Sequence, residues 1–313
     1  MDFTTKVNIP KSPFDITHKD KLLLLGSCFT ENIGHFLNNH QFKIAVNPSG
    51  IIYNPVSIFN SLQKVIDKCF YNENDLLQHQ ELYISLDHHG CFSSTDKQKV
   101  IGNINAKIEQ SSNIFNDSKY IIITFGTSFV YHHKEQNKIV ANCHKIPNTQ
   151  FEKRLLTINE IVESFKNIHS KLKDKKILFT VSPVRHWRDG AMENQRSKSI
   201  LIESIHQIIE QHDNCFYFPA YEIVMDELRD YRFYTEDMLH PNVVAVKYIW
   251  QRFVETYFND ETKNINKKLE KLNLLLQHKV KHENTLEEEN FNQQKIKMIA
   301  DFKNEYPNLE VSF

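Results

Sequence analysis

The chain has 313 residues, 40% of them hydrophobic and 25% charged, with a formal net charge of -1. That composition fits one large globular domain, or a domain with an appendage, and gives no electrostatic reason to expect nucleic acid or an anionic membrane as partner. No run approaches the roughly 18 apolar residues of a membrane span, and the first residues lack a basic stretch followed by an apolar one, so the expected compartment is the cytoplasm. Five scattered cysteines, none in a CxxC pair, argue against a disulfide framework or a structural zinc site.

Taken in chain order, short apolar runs at 21–25, 42–46, 120–125, 176–181 and 215–218 read as buried strands. Helical periodicity falls between and after them, at about 29–39, 55–68, 155–171, 193–212 and 243–258. This alternation predicts an α/β domain with a parallel sheet flanked by helices. Residues 81–93 and 129–141 alternate and contain turn formers, and are expected as an inserted hairpin or small subdomain near the sheet edge. The domain is expected over 1–258. Beyond it, 259–313 is a charged helical extension with two apolar stripes, Ile265, Leu269, Leu272, Leu276 and then Phe291, Ile296, Ile299, Phe302, separated by a polar break. These helices either pack on the main domain or support a homo-oligomer.

Two stretches carry chemistry. In "DMLHPN" (237–242), Asp237 stands one turn before His240. A carboxylate there accepts the Nδ1 proton of the imidazole, which fixes the tautomer and leaves Nε2 as a base. In "LLLLGSCFTENIG" (22–34), a buried strand ends at Gly26 and turns into a helix, placing Ser27 and Cys28 at the carboxyl edge of the sheet, where ligands bind in open α/β folds. The first N–H groups of that helix favour negative charge, so they are expected to lower a thiol pKa and to stabilise an oxyanion. Cys28 and Ser27 are both candidate nucleophiles on this reading. Position and activation favour Cys28, with Ser27 as the helix cap.

Gly-Ser-Cys after the first strand and Asp-x-x-His-Pro before the last α/β helix resemble the layout of the SGNH (GDSL-type) hydrolase superfamily. Within it the chain resembles the GSCFA family, whose motif appears as Gly26-Ser27-Cys28-Phe29-Thr30, with Thr in the final place. "IPKSPF" (9–14), "NPSGIIYNP" (47–55), "FGTSFVY" (125–131), "NCHKIP" (142–147), "SPVRHWRDG" (182–190) and "ELRDYRFY" (227–234) fit the same family. The resemblance implies a three-layer α/β/α flavodoxin-like fold and acyl-transfer chemistry on a covalent acyl-enzyme. Laid on the superfamily's blocks, Cys28 falls on the nucleophilic serine, and Asp237 and His240 on the Asp-x-x-His. Gly50 falls on the oxyanion glycine, and Gly126-Thr127-Ser128 on Gly-x-Asn, so that Ser128, or Asn142 nearby, takes the place of the side-chain oxyanion donor.

The substrate this implies is a small acyl ester, such as an acetyl ester, of a carbohydrate or related metabolite, with water or another acceptor resolving the acyl group. Gly126, His144 with Lys145, and Arg185, His186 and Arg188 are expected near strand ends, where arginine offers a bidentate fork for an anion such as the phosphates of an acyl-CoA. Salt bridges to Asp189, Glu193 and Asp226 are the alternative use of those cations. "DGAMENQRSKS" (189–199) reads as a polar turn and cap. The histidine pairs His88-His89 and His132-His133 point to opposite faces of a strand and have no metal-ligand spacing. No metal and no cofactor are expected. The rival reading is a carbohydrate-binding or interaction module on the same scaffold.

Overall fold

The run "KLLLLG" forms strand β1 (Lys21–Gly26), and all four leucines are buried. Both faces of the strand are covered. Leu23 and Leu25 pack with Leu62, Phe165 and Leu201, while Leu22 and Leu24 pack with Ile33, Leu37 and Phe253. Neighbouring side chains of a strand point to opposite faces, so an unbroken apolar run marks a strand with helices on both sides. The computed structural model describes residues 4–278 and 285–311.

After β1 come α1 (Cys28–Asn39), β2 (Lys43–Val46), α2 (Pro55–Ile66), the hairpin β3 (Leu77–His79) and β4 (Leu82–Ile84), and α3 (Lys97–Asp117). Then follow β5 (Ser118–Phe125), β6 (Phe129–His133), β7 (Lys138–Val140), β8 (Phe151–Leu155), α4 (Ile158–His169), β9 (Lys176–Val181), α5 (Gly190–Gln211) and β10 (Cys215–Phe218). The chain ends with the short α6 (Ala220–Glu222), α7 (Val243–Tyr257), α8 (Asp260–Gln277) and α9 (Leu286–Glu305). The main sheet is parallel throughout, in the order β10-β9-β5-β1-β2. Counted along the chain this is the 2-1-3-4-5 order of flavodoxin-like folds, whose binding crevice lies where the order reverses, here between β1 and β5.

All five expected core strands form. The β3-β4 hairpin and the three-stranded sheet β7-β6-β8 are the inserted β-structure. One helix and two boundaries differ from the sequence expectation. Helix α3 is absent from it, because its buried side is a narrow line of Val100, Ile104, Ile108, Ser111, Ser112 and Phe115, in which two serines interrupt the apolar signal. Residues 151–155 are strand β8, so α4 begins at Ile158, where Thr157 and Glu160 close a capping box. Helix α5 begins earlier than expected, at Gly190.

In the C-terminal segment, Ile265, Leu269 and Leu272 of α8 cluster with Phe302 of α9, and Leu276 and Ile299 pack at the margin. Ile296 points outward, 68% exposed. The polar break expected between the stripes lies in part at 279–284, outside the described residues. Helix α8 is tied to α1: the Asn273 side chain donates to the Asn39 carbonyl at 2.7 Å, and His40 Nε2 lies 3.0 Å from Glu270 Oε1. No described helix is long and apolar enough to cross a membrane.

Candidate functional site

The turn after β1 is fixed by sterics. Gly26 has φ +138°, and a Cβ there would sit 2.1 Å from the Thr124 carbonyl oxygen, which no side chain tolerates. Its N–H donates to Asn47 Oδ1 at 2.9 Å, and the Ser27 N–H donates to Thr124 O at 3.2 Å. Ser27 is the N-cap of α1, 1% exposed, with Oγ accepting from the Phe29 N–H at 3.3 Å. Cys28, the first residue of α1, is partly exposed and opens on a cleft of about 280 Å³ lined also by Tyr53, Gly126, Arg185, His186 and His240.

The expectation that helix geometry lowers the Cys28 pKa is corrected. Burial, the largest influence, pushes the thiol up. The N–H groups of Phe29 and Cys28 pull the other way, Glu31 opposes ionisation, and Lys198 favours it. The helix start is present, and desolvation outweighs it.

His240 lines the same cleft. Its Nδ1 is 2.6 Å from Asp237 Oδ2, with half of each side chain exposed. Asp237 Oδ1 accepts three further bonds, from Thr235 Oγ1 at 2.7 Å and from the N–H groups of Leu239 at 2.9 Å and His240 at 3.0 Å. Those bonds, led by the backbone donor of His240, hold its carboxyl well below the usual carboxylate range. The turn closes with the Thr235 N–H donating to His240 O at 2.8 Å, and the Arg185 N–H donating to Leu239 O at 3.2 Å ties it to the loop after β9. The spacing that pointed to an oriented imidazole therefore forms one.

The remaining expected residues divide. Gly126 lines the Cys28 cleft and has Tyr53 packed against it, so close that a Cβ would meet the ring at 2.9 Å. Arg185 stacks on Trp187 at 4.8 Å, and the His186 ring lies 5.6 Å from Tyr53, with burial lowering its pKa. The carboxylates expected to pair with Arg185 and Arg188 pair elsewhere: Asp189 with Lys153, Glu193 with Arg196, and Asp226 with Arg229.

Of the residues matched to oxyanion donors, Gly50 and Ser128 are hydrogen-bonded within the protein. The Gly50 N–H donates to Asn47 O at 2.8 Å, and its φ of +75° and its contact with His89 explain the glycine instead. Ser128 is fully buried, with its N–H and hydroxyl on Ser197 Oγ at 2.8 and 3.1 Å. Asn142 Oδ1 accepts from the His144 N–H at 2.9 Å, and His144 Nε2 lies 2.8 Å from Ser85 O. Asn142, His144 and Lys145 line an adjoining hollow of about 420 Å³, which shares Tyr53, His186 and Arg188 with the Cys28 cleft.

Helix α5 contributes what sequence reasoning missed. Asn194, Ser197 and Lys198 are buried on the face that continues into Leu201, Ile205 and Ile208. Asn194 Oδ1 accepts from the His186 N–H at 2.8 Å. Lys198 is 1% exposed and donates from Nζ to Gly126 O at 2.8 Å and Ser182 O at 2.7 Å, with burial lowering its pKa to about 7. The stretch is thus a buried polar brace and not a surface cap. The signal for it was the spacing of Asn194, Ser197 and Lys198, which extends the apolar face of the helix by one turn.

A larger hollow of about 900 Å³ between α1, α7 and α8 contains none of these residues. Among the described residues no group of three or more His, Cys, Asp or Glu is placed to hold a metal ion. Among curated proteins none matches the chain. The turn that carries Cys28, the loop that carries His240 and the sheet between them all fall within residues 21–253, which match the sequence pattern of one family over most of the chain, and the protein belongs to the GSCFA family.

Proposed function

We propose that the protein is an acyl-transfer enzyme in which Cys28 takes an acyl group from a small ester or thioester and passes it to water or to a hydroxyl acceptor. The observation that carries this reading is one cleft shared by Cys28 and His240, the latter oriented by Asp237 at 2.6 Å. Sγ attacks the carbonyl carbon, and the Cys28 N–H at the start of α1 faces the charge that develops there. His240 Nε2 takes the thiol proton as Sγ attacks and gives it to the leaving group, then removes one from the incoming water or alcohol and returns it to sulfur as the thioester is resolved. Gly50 and Ser128, whose N–H groups are engaged elsewhere, take no part in this scheme.

The cleft and the hollow beside it suit a compact substrate. Arg185 and Arg188 face it without carboxylate partners among the described residues, which favours an acyl ester bearing an anionic group, as on a phosphorylated sugar or an acyl-CoA. The engagement of Gly50 and Ser128 favours a second reading, a carbohydrate-binding module on a hydrolase scaffold.

Burst kinetics with p-nitrophenyl acetate separate the two. The wild type and Ser27→Ala are expected to release a burst of nitrophenol, while Cys28→Ala and His240→Ala lose it. A burst retained in Cys28→Ala overturns the assignment of the nucleophile. No burst in the wild type, with measurable glycan binding, favours the module.

A further inference from the structure

Large apolar side chains on the surface gather in one region. Of the eleven that stand most exposed among the described residues, six belong to the segments that form the mouth of the Cys28 cleft. They are Trp187, Met192, Tyr231, Met238, Val243 and Val244, each 45% to 84% exposed. The other five are spread over residues 70–82 and helices α8 and α9. Single exposed apolar residues are ordinary, whereas a gathering around a cleft marks a surface that something covers.

Hydrogen bonds bring these segments together. Trp187 lines the cleft beside Leu239 and His240, and the Arg185 N–H on Leu239 O joins the loop after β9 to the loop before α7. Asn242 closes that second loop, its N–H donating to Phe233 O at 2.9 Å and its side chain to Arg232 O at 2.7 Å. Tyr231 thus shares a loop with Val243 and Val244, while Met192 stands in the first turn of α5, just after the Trp187 segment. Met238 is held at φ +60°, a left-handed conformation that disfavours a long side chain, and it is half exposed there.

Shape and charge set what meets this collar. Its side chains come from separate segments and form neither a continuous helical stripe nor a strand edge that a peptide could join. The charges interspersed with them are largely paired within the chain, Arg196 with Glu193, Arg229 with Asp226 and Arg232 with Asp230. That leaves no field of one sign for a protein of opposite charge to read. Trp187 and Tyr231, with apolar bodies and polar tips, suit the boundary between hydrocarbon and water. The Arg185 guanidinium, 4.8 Å over the Trp187 ring, sets a fork for a phosphate beside an apolar plane. The cleft, at about 280 Å³, holds an ester group and little more, so the chains of an amphiphile stay outside, against the collar.

We propose that this collar is a lipid-docking surface, which enters the boundary of a lipid layer and presents the cleft to acyl esters of amphiphiles held there. Docking is by apolar insertion, in keeping with the balanced charge around it. The proposal rests on the acyl-transfer reading only for what the cleft does once docked.

Vesicle flotation and tryptophan emission test the docking with the whole protein and no substrate. The chain has two tryptophans, and Trp250 is buried, so a change in emission reports Trp187. With phosphatidylcholine vesicles the protein is expected to float and its emission to move to the blue. Met192→Asp combined with Val244→Asp places a carboxylate in the first turn of α5 and of α7, where it favours the helix. The double variant is expected to bind vesicles about tenfold more weakly, or less still.

Protein that stays in the aqueous fraction with unchanged emission overturns the proposal. A double variant that floats as the wild type does puts the contact elsewhere and overturns it too, as does binding confined to phosphatidylglycerol vesicles, which marks adsorption by charge. Dimerisation in light scattering without vesicles, abolished in the double variant, assigns the collar to a second copy instead. An ester burst absent from protein that floats defeats the acyl-transfer reading alone, and a burst from protein that does not float defeats the docking alone.

Discussion

The two halves of the site are held in opposite ways. The Cys28 turn is set by the core: its strand is buried on both faces, Gly26 is pressed against the next strand, and Asn47 reaches from the loop after β2 to take the Gly26 N–H. The His240 turn is half exposed and set by itself, through one carboxylate that collects three donors and the imidazole within six residues of chain. On the acyl-transfer proposal, the nucleophile is the half built into the core and cannot be moved without damaging the fold, while the base is held by local bonds and can be disabled with the fold intact.

The strongest effect expected from this contrast is at Gly26. Gly26→Ala places a methyl group on the Thr124 carbonyl and forces a residue with a side chain to φ +138°. A loss of about 3 kcal/mol or more is expected, read as a large drop in thermal midpoint and as loss of activity with it. Asp237→Asn comes next. The amide oxygen still accepts the turn's bonds, while the nitrogen now facing His240 Nδ1 favours the wrong tautomer. The expected kcat falls by about two to four orders of magnitude with the melting midpoint nearly unchanged. A comparable loss of stability in both variants would erase the contrast.

Acid sharpens it further. Burial holds His18 down to about 4 and His88 down to about 3. The unfolded chain takes up protons at both near pH 6.5, where the folded protein does not, so the unfolded state binds more protons as the solution is acidified. Stability is therefore fully present above about pH 6.5 and is lost progressively as pH falls toward 4 and then 3. Chemical unfolding midpoints at a series of pH values check the sign, and a midpoint that rises on acidification contradicts it.

Arg185→Ala is expected to raise KM for an anionic ester about tenfold and to leave a neutral ester nearly unaffected. The smallest effect belongs to the tail. Asn273→Ala removes its bond to the Asn39 carbonyl and is expected to cost about 1 kcal/mol with no change in turnover.

What the sequence made legible follows the same division. The strands, the Gly26-Ser27-Cys28 turn and the Asp237-His240 pair are local features. Periodicity, capping and a spacing of three residues fix them within a few residues of chain. The hydrogen bonds of the residues matched to oxyanion donors were less legible: the Gly50 N–H donates within its own turn, while the Ser128 N–H donates to a hydroxyl on α5, a partner far away in sequence. Lys198 was passed over because a lysine in a polar stretch reads as solvated. Its burial appears only once α5 is laid across the ends of β5 and β9. Helix α3 was missed because Ser111 and Ser112 occupy buried positions where apolar residues would have shown the period.

The central claim is that Cys28, and not its neighbour Ser27, carries the acyl group. Acid-quenching the protein during turnover of p-nitrophenyl acetate and mapping the peptides by mass spectrometry tests this directly. The expected result is an acetyl group on Cys28 that is lost on treatment with hydroxylamine and absent from Cys28→Ala. An acetyl group on Ser27, or turnover in Cys28→Ala at the wild-type rate, would contradict it.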